Sequence, residues 1–254
     1  MERIELAWGG LEYRRIDGAQ PTLVLLHEGL ACAELWRDIP DELAERTGRA
    51  VLVYSRYGYG GSDPRPAPWP KSYMHDEAIE VLPALLAALD IDNYVLIGHS
   101  DGGSIALIHA GGTPATGLKG VVSLAAHVFT EPSGLASIAK AGEAYATGEL
   151  RARLARYHGD VDGCFRGWHD TWMNPAFHDW NLEAYLPAIR VPVLVVQGRD
   201  DEYGTQAQVD AIAGGCPDAE ALVLEDCGHI IHRDRREVLL AAITAFVDGL
   251  SAAG

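Results

Sequence analysis

Short apolar runs recur along the chain at residues 22–26, 50–54, 94–97, 118–124, 191–196 and 221–224. Each is the pattern of a strand buried on both faces, as in a parallel sheet. Between them lie stretches with helical periodicity. Over 34–47, Leu35, Trp36, Ile39 and Leu43 fall on one face, and similar patterns predict helices at 73–89, from Ser104 onward, and at 235–248. Residues 3–8 and 11–16 alternate at period two across Gly9-Gly10, which predicts an antiparallel hairpin at a sheet edge. Strands alternating with helices imply an α/β fold: a doubly wound, mostly parallel sheet with helices on both faces.

The rhythm breaks over residues 128–187. That segment is helical but irregular, and Tyr145, Tyr157, Phe165, Trp168, Trp172 and Trp180 are interspersed with charges. We read it as a helical cap inserted over the carboxyl ends of the strands, where ligands bind in such sheets. Residues 1–127 and 188–254 then form the core. A few extra helices packed on one edge would give the same pattern, with the tryptophans as core.

Composition narrows the function classes. A chain of 254 residues with 48% apolar content supports one sizeable globular domain. A formal charge of −16 argues against nucleic acid, whose phosphates call for clustered Lys and Arg. No apolar run approaches the length of a membrane span, and Met1-Glu2-Arg3-Ile4-Glu5 lacks the plan of a secretion signal. Cys32, Cys164, Cys216 and Cys227 are scattered without C-x-x-C spacing, so we expect reduced packing thiols, a cytoplasmic location and no metal site.

Candidate chemistry centres on Gly98-His99-Ser100-Asp101-Gly102-Gly103, between an apolar run and an amphipathic one. Strand, sharp turn and helix are the context in which Gly-x-Ser-x-Gly becomes a nucleophile elbow. A serine hydroxyl needs an adjacent base, and the base an orienting carboxylate. Gln197-Gly198-Arg199-Asp200-Asp201 and Asp226-Cys227-Gly228-His229 follow the last two strands and supply both. Asp201, three residues past Gly198, is preferred to Asp200, and His229 to His232, which lies deeper toward the last helix. The order Ser100, Asp201, His229 fits this fold. Two N–H donors must meet the developing oxyanion. The amide of Asp101 is one candidate; the loop after residues 22–26 offers Gly29, whose missing side chain allows close approach.

The chain resembles the α/β-hydrolase family through the His-x-Gly loop at 27–29, the Arg-x-Gly-x-Gly-x-Ser-like run at 56–62, the elbow at 98–102, Asp201 and Gly228-His229. Two positions depart from that pattern: Glu28 follows His27 where many relatives have glycine, and Asp101 follows the nucleophile where many have a large apolar residue or Gln. The resemblance implies a Ser-His-Asp hydrolase, with no metal or organic cofactor, acting on a small-molecule substrate. An ester with a small apolar or aromatic acyl part is the expectation, and Leu30, His127, Trp168 and Trp172 are the candidate contacts to it. For His127 a packing role is equally open. Carbon–carbon cleavage beside a ketone, lactone opening or cofactor-free peroxidation would use the same triad; a ligand receptor of negligible turnover would also keep it. No feature of the sequence fixes an oligomeric state.

Overall fold

The computed structural model describes residues 1–252, with side chains through residue 250. Eight strands form one sheet: β1 (Glu2–Leu6), β2 (Gly9–Ile16), β3 (Ala19–Leu26), β4 (Arg49–Tyr54), β5 (Tyr94–His99), β6 (Leu118–Leu124), β7 (Val193–Gly198) and β8 (Ala219–Leu224). Their spatial order is β1-β2-β4-β3-β5-β6-β7-β8, antiparallel at β1–β2 and β2–β4 and parallel from β4 to β8. The helices are α1 (Ile39–Thr47), α2 (Tyr73–Asp76), α3 (Leu82–Ala88), α4 (Asp101–Gly112), α5 (Pro132–Ala146), α6 (Glu149–Leu154), α7 (Val161–Trp172), α8 (Gln206–Gly215), α9 (Ile231–Asp234) and α10 (Arg236–Ala252). Among the described residues, no helix is long and apolar enough to cross a membrane.

Period two in the strands builds two cores. Leu23, Leu25, Val51, Val53, Val95, Ile97 and Val122 face one side and pack with Leu43 of α1 and Leu239, Leu240 and Ile243 of α10. Val24, Leu26, Leu52, Leu96 and Val121 face the other, against Leu82 and Leu85 of α3 and Ile105 and Ile108 of α4. With both faces covered, the strands read as continuous apolar runs.

Three local expectations differ from the structure. The hairpin turns at Ala7-Trp8; Gly9 and Gly10 begin β2, Leu6 pairs with Gly9, and Gly9 takes φ 126°. The helix expected over 34–47 breaks at Arg37 (φ 55°) into a 3-10 turn, Ala33–Trp36, and α1, in whose first turn Pro40 sits. Proline suits that position, where its missing N–H has no intrahelical partner to lose. The helix expected over 73–89 is interrupted by a π turn, Glu77–Val81, between α2 and α3. Pro83 has no N–H to return to the carbonyl four residues back, and the wider turn accommodates that.

Between β6 and β7 the chain leaves the sheet and forms α5, α6, α7 and two 3-10 turns, Pro175–Phe177 and Glu183–Ala188. Its two ends meet: Phe129 and Asn181 form an isolated antiparallel bridge, and Leu182 N–H donates to the Val128 carbonyl at 2.8 Å.

Candidate active site

Ser100 sits in the turn from β5, at the middle of the sheet, into α4. Its backbone is held at φ 52°, ψ −117°, a region that costs a non-glycine residue about 1–3 kcal/mol. The Ser100 N–H donates to the Leu124 carbonyl at 2.8 Å, which ties the turn to β6. A Cβ at Gly98 would lie 2.2 Å from the Gly102 carbonyl oxygen, and one at Gly102 would lie 2.1 Å from the Leu26 carbonyl oxygen. Both glycines are therefore required by close backbone packing. The turn projects Ser100 into a cavity of about 670 Å³ that is also lined by Glu28, Gly29, Leu30, Trp168, Tyr203 and His229.

His229 and Asp201 come from the loops after β8 and β7. His229 Nδ1 lies 2.9 and 3.0 Å from the two oxygens of Asp201. The Asp201 Oδ1 atom also accepts the amides of Tyr203 at 2.8 Å and Gly204 at 3.2 Å, so the carboxylate is fixed before the imidazole meets it. Asp200, by contrast, is exposed. Because the carboxylate accepts, Nδ1 carries the proton and Nε2 keeps its lone pair. Burial works to lower the His229 pKa, but the Asp201 hydrogen bond and charge outweigh it and raise the value above the ordinary range. Burial pushes Asp201 upward; the His229 bond and charge more than reverse that and hold it below its usual range. His232 packs instead on Trp36 and His99, ring centres 5.5 and 5.4 Å away, and burial lowers it to about 4.

A pH dependence follows. If neutral His229 is the base, kcat/KM rises with pH as the imidazolium loses its proton. The acid limb is expected above about 6.5, the free imidazole value. A limb at or below that value in the wild type would contradict the raised state.

The two candidate oxyanion donors are positioned by different means. Asp101 is the first residue of α4, so its N–H has no intrahelical acceptor. Gly29 lies under α7: a Cβ there would be 2.2 Å from Trp168 Nε1. The loop is held from below by the buried Arg56, whose Nη2 donates to the carbonyls of His27 at 3.2 Å and Glu28 at 3.0 Å. Burial opposes the Arg56 charge, but Tyr59, Asp101 and Glu77 outweigh it and keep the side chain a cation.

The Asp101 side chain faces inward. Its carboxyl group accepts from the Tyr73 hydroxyl at 2.7 Å and lies 3.8 Å from Arg56 Nη1. The Tyr73 oxygen in turn accepts from Trp172 Nε1 at 3.0 Å. A continuous hydrogen-bonded path thus joins the elbow to α7 in the inserted segment. Tyr73→Phe leaves the buried indole N–H without its partner and the Asp101 carboxyl group with only the Arg56 guanidinium at 3.8 Å. We expect a stability loss of about 2–3 kcal/mol in urea unfolding; a loss within about 0.5 kcal/mol would mean that the path carries little.

The remaining residues singled out in the sequence gather here too. Leu30 lines the main cavity, and a smaller recess beside Ser100 and Asp101 is lined by His127, Trp168, Trp172 and Tyr203. His127 Nε2 lies 3.0 Å from the Tyr203 carbonyl, and its ring meets Trp172 edge-on at 5.6 Å. Arg56, Tyr73, Tyr203 and the Glu28–His99 pair were not anticipated. Tyr203 covers His229 at 4.7 Å between rings, and Glu28 Oε2 lies 3.4 Å from His99 Nδ1. Only the position of Arg56 in the 56–62 run and of Tyr203 just after Asp201 could have signalled them. Among the described residues, Glu28, His99 and His229 form the one group whose ligand atoms, all within 4.8 Å, could share a metal ion.

A sequence profile described as "Alpha/beta hydrolase family" matches residues 23–242. The chain is 28% identical to the N-formylmaleamate deformylase of Pseudomonas putida, covering 93% of this chain and 92% of that protein. It is 25% identical to a proline iminopeptidase of Lactobacillus helveticus, over 93% and 94%. Among solved structures, a protein from a study of Nitrososphaera gargenis carboxylesterases superimposes with a TM-score of 0.81 at 18% identity, covering 100% of both chains.

Proposed function

The chain belongs to the alpha/beta hydrolase family, and we propose that within it the protein is a serine hydrolase cleaving esters or related acyl bonds of small substrates. The observation that carries this reading is the buried pair of His229 and Asp201, 2.9 Å apart, opening on the cavity that Ser100 also lines. In the proposed reaction His229 Nε2 takes the Ser100 proton as Oγ attacks the acyl carbon. The negative charge moves to the acyl oxygen, which the amides of Gly29 and Asp101 receive. Collapse of the tetrahedral species expels the leaving group, protonated by His229. Water, deprotonated by the same nitrogen, then releases the acid and restores Ser100.

The names of the two curated relatives denote cleavage at an acyl carbon–nitrogen bond, so amides belong in the test beside esters. A panel of p-nitrophenyl esters of graded acyl length, with matching anilides, is expected to show sustained turnover on at least the shorter esters. A burst without turnover would favour a ligand receptor. Four free, buried cysteines support a reducing, cytoplasmic setting.

We further propose residues 128–187 as the cap that sets acyl preference. Trp168 touches both cavities from α7. Trp168→Ala removes apolar contact of about 1–3 kcal/mol for whatever it covers. The expected result is a change of about 10–100-fold in kcat/KM for longer acyl chains and much less for acetyl. Equal losses on long and short esters would reassign the indole to the core.

A further inference from the structure

The wall above Ser100 is charged against the trend of the chain. The sequence holds 36 Asp and Glu against 20 Lys and Arg, yet the cavity is lined by Arg37, Arg153, Arg233 and Arg236 with a single acid, Glu28. The acids that pair with two of these arginines stand off the wall. Arg236 reaches back to Asp38 at 2.9 Å and Glu42 at 2.8 Å, and Arg233 to Asp234 at 2.8 Å. Arg37 and Arg153 are exposed, and their guanidinium groups have no partner among the described residues.

The one acid on the wall, Glu28, is held against a histidine. His99 Nε2 faces the His229 carbonyl at 2.8 Å. A carbonyl only accepts, so Nε2 carries the ring proton and Nδ1 presents a lone pair. Glu28 Oε2 lies 3.4 Å from His99 Nδ1. Burial pushes the Glu28 pKa upward. With Arg37 and Arg153 unpaired among the described residues against that single acid, the wall is positive, and the charge comes from two sides: Arg37 after the first 3-10 turn and Arg153 on α6 of the inserted segment. Arg37 is kept at φ 55°, where a non-glycine side chain is strained. Leu30, Leu154 and Trp168 line the same cavity with apolar surface.

Resting on the serine hydrolase reading, we propose that this cavity selects acyl groups ending in a carboxylate, which Arg37 and Arg153 receive while the chain between lies on the apolar wall. Arginine suits that task because its planar fork matches a carboxylate.

The test compares mono-p-nitrophenyl adipate with its methyl ester, which has nearly the same shape and no charge. At low salt the wild type is expected to favour the anion by about tenfold in kcat/KM, a preference that falls several-fold at about 0.5 M salt. In Arg37→Gln/Arg153→Gln the anion-to-ester ratio should fall close to one, and Arg153→Lys should retain much of it. A wild-type ratio at or below one, or a ratio unmoved in the double variant, overturns the proposal. Turnover of the neutral ester with fluorophosphonate labelling of Ser100 in the same preparation keeps the two readings apart. If both are present without anion preference, charge selection falls alone. If neither is present, the serine reading falls, and calorimetric titration with adipate decides charge selection separately. Binding lost in the double variant supports it; no binding to the wild type overturns it.

Discussion

Ser100→Ala is expected to lower kcat by about 10⁶, leaving only the rate that binding and the oxyanion donors supply. A fluorophosphonate should label the wild type once, at Ser100, and leave the variant unlabelled. The prediction discriminates because other serines make polar contacts of their own. Ser55 Oγ donates to Glu12 at 2.6 Å, which superficially resembles activation, yet Ser55 is fully buried beneath the loop and accepts the Ala33 amide. Ser104 donates to the His127 carbonyl at 2.6 Å and lies within α4. Among the described residues, Ser100 is the serine that combines the strained turn with a place on the cavity that His229 lines. Alanine meets the same φ and ψ with a Cβ already accommodated, so the fold should be retained. Labelling at another serine, or activity kept in the variant, would remove Ser100 from the mechanism.

What the sequence revealed and what it hid divide along physical lines. The elbow and the apolar strands are local signals: glycines at fixed spacing and period-two burial act over a few residues. Asp201 and His229 were legible because strand ends in a parallel sheet converge on one edge, so position in the chain stands in for position in space. The hairpin turn was misplaced by two residues because Gly9-Gly10 looks like a turn, whereas Gly9 instead supplies positive φ as the first residue of β2. Partnerships between distant segments left no trace. Nothing near Tyr73 says that its hydroxyl will link Asp101 to Trp172, and nothing near Glu28 says that it will face His99. The break at Arg37 was hidden for a different reason. A helical pattern of apolar residues spans it, and only tertiary packing decides that the helix starts again at Ile39.

Asp201→Asn tests the orienting carboxylate, with an expected fall of about 10⁴ in kcat. The amide can turn its NH₂ toward His229 Nδ1, which then must accept, so Nε2 carries the proton and cannot take one from Ser100. Lost charge acts in the same direction, because the imidazolium formed in the transition state has no counterion. The acid limb of kcat/KM should also move to lower pH, since the Asp201 hydrogen bond and charge are what raise His229 against its burial. That shift separates orientation from simple structural damage, which would lower activity without moving the limb. Stability provides a second check. Asp201 is held below its ordinary range, so its contribution is present above an unfolded value of about 3.9 and is lost as pH falls through the folded value. His229 is raised, so its contribution is present below about 6.5 and is lost as pH rises through its folded value. The wild type should therefore lose its advantage over Asp201→Asn at both ends of that window in urea unfolding. Asp200→Asn, at an exposed position, should leave kcat within about twofold. The reverse pattern would move the orienting role to Asp200, and small effects from both would mean that His229 is held by something other than these acids.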